Sequence, residues 1–166
     1  SAIEANNMLR PLAAYVPGAE PDRWVAGGEG WRIEKRYTLE DNALVVSFRV
    51  EGTRLPSAIE TEINLAMPSC DGFGGRYVLA DGSVPGGFGE TLMLAEVTQL
   101  RLEDSELRGA LRIEATQPIS VEARAHRTVS QSEAGFEKIM QAVCLTLAWS
   151  PAAGEQRIAL RILPAS

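Results

Sequence analysis

An all-β fold, an antiparallel β-sandwich with little helix, is what this sequence predicts, and three observations predict it. Apolar and polar side chains alternate with a period of two along most of the chain from Leu44 to Ile162, which puts alternate residues on opposite faces of a strand. Turn-forming residues recur roughly every ten positions, the spacing of a sandwich of about eight short strands. The regular strand-then-helix alternation that would mark a parallel βαβ fold does not occur.

Taken in order, residues 1 to 30 differ from the rest and read as a linker or an N-terminal arm. Met8 to Val16 has room for one or two helical turns, but Pro11 interrupts it, and a proline removes a backbone donor and crowds the preceding turn. Pro17-Gly18, Pro21 and Gly27-Gly28-Glu29-Gly30 follow, a density of breakers that argues against regular structure. Residues 31 to 166 form the predicted sandwich domain. In one strand Leu44, Val46, Phe48 and Val50 alternate with Val45, Ser47 and Arg49; in the next Ile59, Thr61, Ile63, Leu65 and Met67 alternate with Glu60, Glu62, Asn64 and Ala66. Leu100, Leu102, Leu107, Leu111 and Ile113 continue the pattern around a turn at Asp104-Ser105, and Ile119, Val121, Ala123 and Ala125 make a further run. Phe136 to Trp149 allows a helix, since Ile139, Val143 and Leu147 are spaced by four. The alternation of Val143, Leu145, Leu147 and Trp149 and the proline at 151 favour a long strand. Ile158, Leu160 and Ile162 make the last strand.

Composition narrows function. The 166 residues suit one domain, and 45% hydrophobic with 23% charged residues is ordinary for a globular chain. The net charge is −6, from 16 basic and 22 acidic side chains, so the basic patch that a phosphate backbone requires is missing and no nucleic-acid partner is expected. No run of about 20 apolar residues can cross a bilayer. The start, Ser1-Ala2-Ile3-Glu4, has neither the basic nor the apolar region of a signal peptide, so the expected location is cytoplasmic. The absence of an initiator methionine suits an excised piece of a longer protein. Two cysteines, Cys70 and Cys144, are no disulfide framework, although a single bridge stays open. One histidine, His126, supplies zinc poorly; neither a metal nor a cofactor is expected.

The residues with chemistry to offer are few. Glu60, Glu62 and Asn64 line one strand face as a polar ladder about 13 Å long. Paired carboxylates are what glycoside hydrolysis uses, but two on alternate residues are common on any solvated sheet face. His126 lies near Thr128, Ser130 and Ser132, yet no Gly-x-Ser-x-Gly elbow surrounds any serine. The glycine clusters at 72–75 and 86–89 have neither a P-loop ending nor dinucleotide-fingerprint spacing; glycine in such places more often supplies turns or bulges. Asp71-Gly72 and Asp81-Gly82 read as turn chemistry before calcium ligands. Trp24, Trp31, Tyr37, Tyr77 and Trp149 are the rings on which a flat ligand face could stack.

The segment from Thr128 to Glu137, with Gln141 and the Cys144-to-Trp149 strand after it, resembles the C-terminal region of the α-amylase/4-α-glucanotransferase group in glycoside hydrolase family 57. The stretch from Glu60 to Ser69 and the Gly-Gly-Phe-Gly at 86–89 resemble the same region in the same order. The likeness runs over roughly residues 31 to 150. It implies an α-glucan-active parent whose N-terminal (β/α) barrel holds the catalytic carboxylates, and a C-terminal β-sandwich related in shape to galactose mutarotase. This chain is too short for a barrel, which takes about 250 residues, so no catalytic residue carries over. The expected role is a non-catalytic accessory domain that packs on the barrel of the same parent chain and takes an α-glucan ligand through Trp31, Tyr77, Glu60, Glu62 and Asn64. The other reading is a freestanding sugar-binding or sugar-modifying sandwich protein. Glu133 is expected to hold a connection in place rather than act as an acid.

Overall fold

The computed structural model describes residues 2–3, 9–10, 15–70, 74–132 and 135–164. The described residues form thirteen strands: β1 (Ala2–Ile3), β2 (Leu9–Arg10), β3 (Val16–Pro17), β4 (Arg23–Gly28), β5 (Trp31–Glu40), β6 (Ala43–Gly52), β7 (Ala58–Leu65), β8 (Gly75–Leu79), β9 (Gly86–Gly87), β10 (Leu92–Asp104), β11 (Gly109–Ser132), β12 (Gly135–Trp149) and β13 (Gln156–Pro164). A single 3₁₀ turn, Pro151–Ala153, joins β12 to β13. The fold is an all-β antiparallel sandwich, as the alternation implies.

One strand makes the sandwich out of one hydrogen-bonded network. Along one edge β11 pairs with β10. Along the other, Gly109–Ala115 pair with β13 while Ser120–Ser132 pair with β12. The network therefore forks between residues 115 and 120. One branch continues β13-β6-β5-β4-β3 and the other β12-β7-β1-β2. Phe48 of β6 meets Trp149 of β12 across the gap, with ring centroids 4.9 Å apart, and Ile33, Val143, Leu145, Leu147 and Ile158 are buried between the branches.

A fork in a sheet leaves backbone groups with no ladder partner, and a buried side chain fills that place. The Gln156 side chain has no exposed surface. Its Oε1 accepts from the Gln117 N–H at 3.0 Å and the Thr116 hydroxyl at 2.8 Å, while its Nε2 donates to the Gln117 carbonyl at 3.1 Å. The amide thus stands in for the strand that departs.

Gly75 of the first glycine cluster and Phe88 of the second make a packing device. A Cβ on Gly75 would lie 2.0 Å from the Phe88 ring, so only glycine lets that ring close on β8. Phe88 then sits edge-on to Tyr77 at 5.3 Å, with both rings buried. The Asp104-Ser105 turn is a tie. Asp104 accepts from the Ser69 hydroxyl and N–H and from the N–H groups of Glu106 and Leu107, joining the 67–70 loop to the β10–β11 hairpin. Asp81 makes the expected turn, accepting from the Ser83 N–H and hydroxyl around Gly82 at φ 86°.

Phe136 to Trp149 is strand and not helix. At the N-terminus, Leu9–Arg10 and Val16–Pro17 are extended, which corrects the helical option there; the rest of that stretch, Tyr15 apart, lies outside the described residues. Within residues 1 to 30, β4 pairs with β5 from Arg23↔Arg36 to Gly28↔Trp31, and β1 pairs with β7 at Ala2↔Ile59 and Ile3↔Ala58. The arm is strapped to both branches. Cys70 and Cys144 are buried thiols without a disulfide, and no helix among the described residues is long and apolar enough to cross a membrane.

Replacing Gln156 by leucine should remove its three hydrogen bonds, to the Gln117 N–H and carbonyl and to the Thr116 hydroxyl, each loss costing about 1 kcal/mol. We expect the urea midpoint to fall by the equivalent of about 3 kcal/mol, with the slope unchanged. An unaltered midpoint would mean that the fork does not need this amide.

Candidate functional site

The residues nominated by sequence do not converge. Glu60, Glu62 and Asn64 do share the face of β7 that points away from the core, because Ile59 and Ile63 take the other. Trp31 begins β5 on the opposite branch, half-buried and laid across Gly28, where a Cβ would come within 2.6 Å of its indole nitrogen. Tyr77 is a correction: its ring is fully buried against Phe88, so it has no face to offer a sugar. The glycine-permitted close approach that seats Phe88 is what draws it inside. Glu133 lies outside the described residues.

Around the β7 ladder the surface has a shape. The neighbouring strand β12 presents Ala142, Cys144, Thr146 and Ala148 on this face, and β11 beyond it presents Ser120, Glu122, Arg124 and His126. Small residues in the middle with long ones either side make a shallow trough. Arg124 reaches across to donate to Glu62 Oε2 at 2.8 Å, and Asn64 Nδ2 donates to Glu62 Oε1 at 2.9 Å. The hydrogen bonds from Asn64 and the Cys144 thiol, with the charge of Arg124, outweigh burial and hold the Glu62 carboxyl below its ordinary range. Burial first, and then Glu62, push the Cys144 thiol up. A glycosidic general acid needs the opposite displacement, a carboxyl raised enough to carry a proton. Glu62 is built to stay ionised and to accept hydrogen bonds.

One of the rings the sequence offered for stacking lies on the core side of β7. Tyr37 and Lys35 on β5, with Leu44, Phe48 and Leu160, line a cleft of about 290 Å³ whose opposite wall is Thr61 to Asn64. The Lys35 ammonium lies 4.9 Å from the Tyr37 ring centroid and 5.5 Å from that of Phe48, a range in which a cation is attracted to a ring face. It lies 5.8 Å from the Tyr15 ring. Burial, and then the nearby Tyr37, push the Tyr15 hydroxyl up to about 12. Tyr37 stood among the stacking candidates; its signal was alternation with Lys35, one pleat apart from Ile33, which a single sequence does not separate from a core position.

The cleft opens onto an uncovered part of the core face. Leu39 pairs opposite Leu44, Leu44 opposite Leu160, and Leu111 opposite Ile162, so all stand on the inner side of their branch. Yet Leu39 is 81% exposed and Ile162 65%. Here the described residues leave the inner face open.

Fold and surface together define a β-sandwich module with an incomplete apolar seam and no enclosed catalytic pocket among the described residues. The family model for the alpha-amylase/4-alpha-glucanotransferase C-terminal region matches residues 20–162, and the chain belongs to that family. Among solved structures it is similar to a 4-alpha-glucanotransferase from Thermococcus litoralis, at 22% identity and a TM-score of 0.60 over 90% of this chain. The chain spans 22% of the length of that enzyme. It is also similar in fold to an Escherichia coli K12 protein assigned as an aldose 1-epimerase, at 13% identity and a TM-score of 0.52, covering 89% of this chain and 67% of the other. No curated protein matches the sequence.

Because the folded-state pKa of Glu62 is lowered, its contribution is present above the ordinary glutamate range and is lost as pH falls through the lowered value. The Glu62→Gln variant should therefore be less stable than wild type at pH 7, by under about 1 kcal/mol for so exposed a pair. The two should converge in acid. Thermal melts at pH 7 and pH 3 test this; a difference that persists at pH 3 assigns the effect to packing instead of charge.

Proposed function

We propose that this chain is a non-catalytic C-terminal accessory domain of an α-glucan-active enzyme of the glycoside hydrolase family 57 kind, packing on the (β/α) catalytic barrel of its parent. The observation that carries the reading is the uncovered inner face at Leu39, Leu44 and Ile162. Large side chains on the core side of a sheet, left in water next to one another, mark a surface that a partner buries. Membership of a family described as C-terminal supports a neighbouring domain in the parent, and the charge-poor character of the patch suits the centre of an interface. Docking there does not require new secondary structure, only a second apolar face to close the seam.

The same reading extends to α-glucan. Tyr37 is exposed enough to offer one ring face, Thr61 of β7 lines the opposite wall of its cleft, and Glu62 and Asn64, on the outer face of the same strand, are acceptors and donors for sugar hydroxyls at the strand's edge. This replaces Tyr77 in the expected contact, keeps Glu62 and Asn64, and leaves Glu60 and Trp31 peripheral. A sugar held there lies at the margin of the docking patch, and ligand sites favour such seams between domains. One ring and a few hydrogen bonds imply binding near millimolar, about 4 kcal/mol.

Docking is tested by amide hydrogen exchange on the isolated domain and on the parent chain. Protection of residues 39–44 and 160–163 should appear only in the parent, and equal exchange in both sinks the docking surface. Glucan contact is tested separately, by titrating maltoheptaose into the isolated domain. Saturable amide shifts are expected around Tyr37 and Asn64 at about ten millimolar sugar, and Tyr37→Ala should abolish them. No shift in the wild type refutes the sugar contact and leaves docking standing.

A further inference from the structure

On the outer face of the β13-β6-β5 branch, away from both the trough and the seam, three arginines stand side by side. Arg101 of β10 is the direct cross-strand partner of Arg112 of β11, and Arg112 is the partner of Arg161 of β13. With strands about 4.8 Å apart the row is roughly 10 Å long. Like charges placed directly opposite on a sheet repel, so such a row needs counter-charge. It is supplied incompletely. Glu103 is shared by Arg76 at 2.7 Å and Arg101 at 2.8 Å, and Glu114 by Arg112 at 3.1 Å and Arg161 at 3.6 Å. Four guanidinium groups thus divide two carboxylates. The Nε atoms of Arg101 and Arg112 are buried and make no hydrogen bond among the described residues; Arg112 Nε is near Glu114 as a charge without hydrogen-bond alignment, and Arg161 also donates to Asn42 Oδ1.

The row also joins two hollows. Arg76 and Arg101 line one of about 700 Å³, with Gly74, Ser105 and Gly109; Arg161 and Glu114 line another of about 220 Å³. Asp104 borders the larger one, but Ser69, Glu106 and Leu107 already donate to its carboxylate. Arginines that outnumber the carboxylates they pair with and adjacent open space coincide here, in a chain whose net charge is −6. Guanidinium forks match the oxygens of phosphate and carboxylate in pairs.

We propose that the row Arg101–Arg112–Arg161 binds a phosphate-class oxyanion, free or carried as a monoester. The anion supplies the counter-charge that Glu103 and Glu114 share out too thinly, and the long arginine stems turn toward it without movement of the strands. Nothing in this site depends on glucan binding or on the docking seam.

The test is a titration of the intact chain with inorganic phosphate, read from the arginine Nε–Hε resonances, with ionic strength held at about 0.15 M so that screening stays constant. Saturable shifts are expected at Arg101, Arg112 and Arg161, with Arg49, which pairs with Glu51 elsewhere on the sheet, unmoved. Arg112→Gln should weaken binding about tenfold, the loss of one charge-assisted hydrogen bond, and Arg49→Gln should leave it unchanged. A parallel titration with glucose 6-phosphate separates the sources: tighter binding than phosphate assigns the site to a monoester, equal binding to the free ion. If Arg112→Gln loses its dispersed spectrum, Arg101→Gln on the neighbouring strand takes its place. Shifts that rise linearly at every arginine, or saturation unaffected by the row variant, overturn the proposal.

Discussion

The architecture depends on what happens where β11 gives up one partner and takes another. A sandwich built from a single continuous ladder has to split somewhere, and at the split the part-buried Gln117 N–H and C=O are met by a side chain. Buried backbone groups without partners are too costly to tolerate. The Gln156 amide resolves this with one acceptor and one donor in the geometry of a strand. A hydrophobic residue would fill the volume and remove both hydrogen bonds. A carboxylate would keep the acceptor and set its negative charge against the Gln117 carbonyl. The neutral amide alone answers both needs, and the two branches can then face each other over Phe48 and Trp149.

From that fork follows the placement of every surface discussed above. The β12-β7 branch turns its small residues outward as a trough, and its β7 ladder ends beside the cleft. The β13-β6-β5 branch carries Leu39 and Ile162, which are wet although they stand on the core side. Its outer face carries the arginine row. The Asp104 tie anchors the end nearest that row. Burial raises the carboxyl's cost of ionising, but the Ser69 hydroxyl and N–H and the Leu107 and Glu106 amides more than offset it and keep it below its ordinary range.

Strand existence was legible because period-two alternation survives in nearly every segment, including Phe136 to Trp149, where a helical spacing competed. The turns at Asp81 and Asp104 were legible from local chemistry. What the sequence could not convey is which end of a face is covered. Leu39 and Leu44 look like core because they alternate correctly, and Tyr77 looks available because it follows two glycines. In the fold the first pair is exposed and the second is sealed by Phe88, through an approach that depends on a residue eleven positions away. Gln156 carries no sequence signal at all. A glutamine before a strand reads as solvated, and only the fork, a feature of three strands together, makes it central. The candidate site suffered likewise: Glu62 and Asn64 do share one face of β7, while the exposed ring, Tyr37, lies across the sandwich on β5, a relation set by sheet packing.

The direction of the pKa displacements bears on what kind of chemistry this surface suits. Among the described residues, each carboxyl that is clearly displaced is displaced downward: Glu62 by Asn64, Cys144 and Arg124, Asp81 by Ser83, and Asp104 by Ser69 and its own turn. In every case the cause is a set of donors fixed by the fold, so the charge is a structural anchor that stays put at neutral pH. Proton transfer asks for groups poised near the working pH, whereas recognition asks for charges and dipoles that do not move. Glu62 with Asn64 and the arginine row are arrangements of the second kind. A surface of this design is suited to holding and orienting a partner, since its displaced carboxylates are fixed in the charged form.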